Sequence, residues 1–165
     1  MTGMSQRTTF LRVAGILLVL LLAVLVPAPV SGYVDRGRAA ELARDGDYRS
    51  AARTYRAAAL KLPWDSSLWE QVALAEARAG ETASASSTFE SLARRGRLSA
   101  EGYEAYGALY LSAARPQEAL NIWLAGLRSR PAHARFYLLV SYAYEELGEA
   151  GNQRAIFITN LPPAR

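Results

Sequence analysis

The chain has 165 residues, is 51% hydrophobic and carries a formal net charge of +4. That length suits one modest domain plus an extra segment. The charge is nearly balanced outside the N-terminal arginines and nowhere forms a large cluster, which excludes a nucleic-acid footprint. The absence of cysteine excludes disulfides and thiolate chemistry and leaves the redox compartment open. Lys61 is the only lysine, and the other basic side chains are all arginine.

Residues 1–12 form a short tail with Arg7 and Arg12. No charge then occurs over 22 positions, Val13 to Val34, and the centre around Ile16, Leu20, Leu22 and Val26 is almost pure Leu, Val and Ile. A helix needs about 20 apolar residues to cross a bilayer core. Two readings stand: an uncleaved signal anchor, or a signal peptide cut near Ser31 or Gly32. Length and flanks favour the anchor. Pro27 and Pro29 are expected to end a helix in either case. Arg36, Arg38 and Arg44 follow the segment, so a simple charge count keeps the downstream part in the cytoplasm. A tail of about a dozen residues ending in arginine is instead the usual n-region of an exported chain. The expectation is a single-pass protein with its main domain outside the cytoplasm, or a secreted or periplasmic one after cleavage.

From there the chain repeats every 34 residues. Aromatics stand at Tyr55, Phe89, Trp123 and Phe157, and small residues at Ala39, Ala73, Gly107 and Ser141. Ala51, Ala85 and Ala119 form a further column, as do Gly46, Gly80, Ala114 and Gly148. Trp69, Tyr103 and Tyr137 form another, with Asp35 at the same phase. Pro63 and Pro131 are two periods apart, and Arg97 stands where a third proline would fall. The columns predict helical hairpins, in units of about 32–65, 66–99, 100–133 and 134–161, with a tail over 162–165. The small residue lets the first helix approach its neighbour, and the aromatic on the second helix fills the gap between units. The glycine column marks the turn within each hairpin, where a left-handed residue ends a helix. The prolines stop the second helix. One hairpin cannot bury its apolar face alone, so the units must stack.

This spacing resembles the tetratricopeptide repeat, W-x2-L-G-x2-Y, then A-x3-F, then P. Unit three matches best, with Tyr103, Tyr106, Gly107, Tyr110, Ala119, Trp123 and Pro131. Unit two has Trp69, Val72, Ala73, Ala85 and Phe89 but Glu76 in place of an aromatic. Unit one has Asp35 and Arg38 where the family has Trp and Leu, and unit four has Gln153 where it has alanine. The resemblance implies an all-α right-handed solenoid that binds proteins through its inner face. The inner-face residues outside the packing columns would be Arg36 and Arg44; Glu70, Leu74 and Arg78; Glu104, Ala108 and Leu111; and Leu138 and Tyr142. Part of the family clamps a partner's C-terminal carboxylate with Lys and Asn on these helices. The matching places here hold Arg36, Ala40, Gln71 and Glu101, so that clamp is not expected.

No chemistry competes with this reading. His133 is the only histidine and reads as a surface residue. No phosphate-binding glycine motif is present. Glu145, Glu146 and Glu149 end a helix, and Arg94-Arg95-Gly96-Arg97 is a short basic run in a turn; both read as solvated. The expectation is a non-enzyme with no cofactor, metal, small-molecule substrate or nucleic acid. It would be a membrane-tethered scaffold for a partner protein, or an accessory subunit of a cell-envelope enzyme. The apolar run Ile156, Phe157, Ile158 and Leu161 would also allow self-association through the last helix.

Overall fold

A computed structural model describes residues 27–148. Among them every regular element is helical: α1 (Pro27–Arg44), α2 (Tyr48–Lys61), α3 (Ser67–Arg78), α4 (Thr82–Arg94), α5 (Ala100–Ser112), α6 (Pro116–Ser129) and α7 (Ala134–Glu146). Val13, Ile16, Leu20, Leu22, Val26, Gln153, Phe157 and the tail at 162–165 lie outside the described residues. None of the described helices is long and apolar enough to cross a membrane.

Helices α1 and α2, α3 and α4, and α5 and α6 form antiparallel hairpins, and each helix packs chiefly on its chain neighbours. The start of α1 lies against the end of α2. A side chain at Gly32 would meet Leu62 Cγ at 2.7 Å, and Lys61 Nζ pairs with Asp35 at 2.6 Å. The sequence reading stopped a helix at Pro27 and Pro29 and ran the apolar segment to Val34. Instead residues 27–34 belong to α1. Asp35, at the tryptophan phase of unit one, joins the hairpin through the ion pair with Lys61 rather than through an aromatic ring.

Two cores form. One gathers Ala39, Ala51, Tyr55, Leu62, Leu68 and Val72 from α1, α2, the turn after it and α3. The other runs from α3 to α7 through Ala73, Ala85, Phe89, Tyr103, Tyr106, Ala119, Trp123, Phe136 and Val140. Half-buried Trp69 packs against both. Burial pushes the Tyr106 phenol above its ordinary pKa, since the charged form loses water there. Pro63 and Pro131 are exposed and stand just past the ends of α2 and α6. They stop helices without filling the core.

Caps explain the boundaries. Asp47 accepts from Ser50 N at 3.1 Å at the start of α2, and its hydrogen bonds to Ser50 hold its carboxyl below the usual range. At the hairpin turns Gly46 and Gly80 have φ of 83° and 77°, and Ala114 takes the same left-handed place at 56°. There Arg115 N reaches Tyr110 O and Ala114 N reaches Leu111 O, both at 3.0 Å, which satisfies the last carbonyls of α5. An alanine in this conformation is strained by its Cβ. Ala114→Gly should therefore raise stability by about 0.5–1 kcal/mol, the strain relieved exceeding the extra unfolded-chain entropy. An unchanged or lower denaturant midpoint would show the turn to be unstrained. The α4–α5 turn lacks the proline of the other two. Gly96 closes it instead at φ 63°, with Arg97 N on Leu92 O at 2.9 Å.

Candidate partner-binding groove

The first helices of the units, α1, α3, α5 and α7, carry the predicted inner face, and their polar residues are tied together by one recurring link. In each described pair a residue of one first helix bonds to the residue 29 positions on, at the turn into the next. Arg36 Nη1 donates to Asp65 at 3.2 Å. The Glu70 carboxylate accepts from Ser99 N at 2.9 Å and from Ser99 Oγ. Ser99 in turn caps α5 by accepting from Gly102 N at 3.0 Å. Glu104 meets His133 Nε2 at 2.8 Å and Arg135 Nε at 2.7 Å. The Glu104 carbonyl also accepts from Trp123 Nε1 at 3.2 Å.

These bonds redraw the groove. Glu70 and Leu74 were expected to be unpacked on the inner face, yet both are buried. Leu74 joins the larger core, and Glu70 is consumed in anchoring the start of α5. Glu104 is mostly covered by His133 and Arg135. His133, expected at the surface, is half-buried, with its ring 4.9 Å from that of Phe136. Arg36 and Arg44 are exposed, the former held by Asp65. Arg78 is exposed with its guanidinium 5.7 Å from the Tyr48 ring.

The open part lies at units three and four. Leu138 is 69% exposed and Tyr142 46%, one turn apart on α7. Ala108 is exposed on α5, and Leu111 is half-buried against the core. Glu145 and Glu146 border them. A hydrogen bond to Glu146 and that carboxylate's charge push the Tyr142 phenol above its ordinary pKa. Among the described residues no three His, Asp or Glu side chains gather closely enough to hold a metal ion.

No family model matches the sequence, and no curated protein does. Solved structures do match. The structure titled "MamA AMB-1 C2221" aligns with a TM-score of 0.59 at 14% identity, over 76% of this chain and 74% of that one. "MamA MSR-1 C2" aligns with a TM-score of 0.61 at 14% identity, over 77% and 73%. The fold is tetratricopeptide-like.

Within that tetratricopeptide-like fold, the repeat columns fall where packing needs them. Ala39, Ala51, Ala73, Ala85 and Ala119 have no exposed surface. A Cβ at Gly107 would stand 2.1 Å from Trp123 Nε1, so only glycine admits the indole there. Tyr103 and Phe136 meet edge-on at 6.4 Å, and Tyr137 and Ser141 are half-buried on α7. The sequence reading missed Glu76, which is 1% exposed. Arg56 of α2 donates to it, as do Ser84 Oγ at 2.8 Å and Thr88 Oγ1 at 3.3 Å from α4. The signal was present as the one place where unit two departs from an aromatic.

Proposed function

We propose that the protein is a membrane-tethered scaffold that seats a segment of a partner protein on the α5–α7 end of its inner face. The observation that carries this is the pair Leu138 and Tyr142, large apolar side chains left open on the inner-face helix α7. Ala108 and Leu111 lie on α5, the inner-face helix that packs on α7, and Glu145 and Glu146 follow on α7. An apolar centre with a charged border is the usual anatomy of a binding patch. The tether is the apolar stretch 13–26 of the uncharged run 13–34, and the repeat domain sits outside the cytoplasm. Tetratricopeptide-like folds act by binding other proteins, and nothing in this groove suggests catalysis by the chain itself. When the partner is an envelope enzyme, the chain is its accessory subunit.

A photo-crosslinking residue at Tyr142 in the full chain should trap one predominant partner in cells. Leu138→Ala with Tyr142→Ala should reduce co-purification of that partner by tenfold or more, the loss of roughly 1.4 kcal/mol or above. The helical spectrum should stay unchanged, since neither side chain is in the core. Undiminished capture by the folded double variant would sink the groove. Catalytic activity travelling with the trapped protein would identify the accessory-subunit role.

A further inference from the structure

Five of the seven large hydrophobic side chains most exposed in the described residues lie on one end of the first hairpin, away from the α5–α7 groove: Val30, Tyr33 and Val34 on α1, with Leu60 and Trp64 at the end of α2 and the turn after it. The Gly32–Leu62 contact and the Lys61–Asp35 ion pair hold the two stretches that carry them at the same end of the hairpin. They begin the edge of the solenoid at which one unit passes to the next. That edge is continuous. A cleft of about 460 Å³ joins Leu60 and Pro63 to Arg95 and Arg97, and Arg130 Nη2 reaches Leu98 O at 2.8 Å across the following turns.

Charge separates this edge from the opposite one. Its later turns hold Arg94, Arg95 and Arg97, then Arg128 and Arg130. On the other edge, where the hairpins close, Arg49 pairs with Glu81 at 3.0 Å and Arg115 with Glu118 at 2.7 Å. Asp45 and Asp47 stand there as well. So one edge is apolar and aromatic at the α1 end, where Arg36 and Lys61 are paired with Asp65 and Asp35, and carries an excess of arginine at its two later turns. The described residues begin at Pro27 of α1, on this edge, directly after the apolar stretch 13–26 in sequence.

We propose that this inter-unit edge lies on an anionic phospholipid surface, with Trp64 and Tyr33 at the headgroup level and the arginines of the α4–α5 and α6–α7 turns over lipid phosphates. The proposal rests on the tether named above. Aromatic rings with one polar end favour the membrane interface, and basic side chains are drawn to anionic headgroups within a Debye length. The fixed edge also orients the molecule, holding the hairpin turns, and the solenoid between the edges, away from the lipid.

The full chain, reconstituted into vesicles of phosphatidylcholine and phosphatidylglycerol brominated on their acyl chains, tests this by tryptophan fluorescence. Trp64 is 62% exposed, while Trp123 is buried and Trp69 half-buried. Brominated lipid should quench the wild type and leave Trp64→Phe unquenched. The quenching should weaken when phosphatidylglycerol is omitted, or when Arg94, Arg95 and Arg97 are all changed to Gln. Trp64 reached by aqueous iodide and untouched by brominated lipid, in protein that resists carbonate extraction, overturns the edge and keeps the tether. Quenching by brominated lipid in protein that carbonate then removes keeps the edge and overturns the tether. Trp64 shielded from both quenchers places another protein surface on this edge and overturns the lipid assignment.

Discussion

Trp123→Ala should lower stability by about 3–5 kcal/mol, the usual cost of truncating a fully buried large aromatic. Trp123 is 1% exposed, sits in the larger core and donates its Nε1–H to the Glu104 carbonyl at 3.2 Å. The truncation loses all three at once: apolar burial, contacts around the ring and the hydrogen bond. The cavity cannot collapse easily, because the wall facing it is the backbone of α5 at Gly107, which has no side chain to fill it. A urea titration checks the result, and little movement of the midpoint would mean that Trp123 is not the packing residue of its unit. Two finer outcomes follow. Gly107→Ala in the wild type should itself destabilise by about 1–3 kcal/mol, since its Cβ meets a ring that cannot move aside. In Trp123→Ala the same glycine change should cost much less, because the two positions share one space. Hydrogen exchange should also be accelerated more in α5–α7 than in α1 and α2, whose core is separate.

The same residue shows why the fold was legible. A 34-residue spacing of Phe89 and Trp123, with Gly107 opposite the latter, states a packing requirement in residue size alone, and size is visible in a sequence. Charge is not so readable. The sequence puts Glu70 on the open groove and marks Glu76 only as a departure from the expected aromatic, yet both are buried. Glu70 is buried because the partner that satisfies it, Ser99, lies 29 residues on in the next unit. That pairing becomes visible only once the units are stacked, and then Arg36 with Asp65 and Glu104 with His133 fall into the same series. The groove was over-drawn for this reason: three of its named residues, Glu70, Leu74 and Glu104, are used in holding the stack together. Residues 27–34 carry no charge and so read with the apolar segment, yet they lie in α1, where Gly32 packs against Leu62.

Glu76→Ala should destabilise by about 2–3 kcal/mol, less than the 3–5 kcal/mol typical of breaking a fully buried ion pair. The reason for the smaller figure is its partner. Arg56 has a side chain 48% exposed, so the cation left behind can take up water. Thr88 Oγ1 keeps Ser84 O as an acceptor at 3.1 Å, so the loss falls chiefly on half-buried Ser84, and a buried hydroxyl left unmet costs about 1–3 kcal/mol. The carboxylate also binds three helices, since Glu76 is on α3, Arg56 on α2 and both hydroxyls on α4. Its loss should therefore loosen the seam between the first two units, adjacent to the smaller core. Glu76→Gln keeps the shape and a carbonyl oxygen for one or two of the three donors, and should cost about half as much as alanine. An Arg56→Ala, Glu76→Ala double variant should be less destabilised than the sum of its singles, with a coupling of about 1 kcal/mol or more. Thermal or urea unfolding of the four proteins measures all of this. Additive losses would show that Arg56 and Glu76 do not act as a pair. A Glu76→Ala midpoint equal to wild type would show that the carboxylate is dispensable at this position.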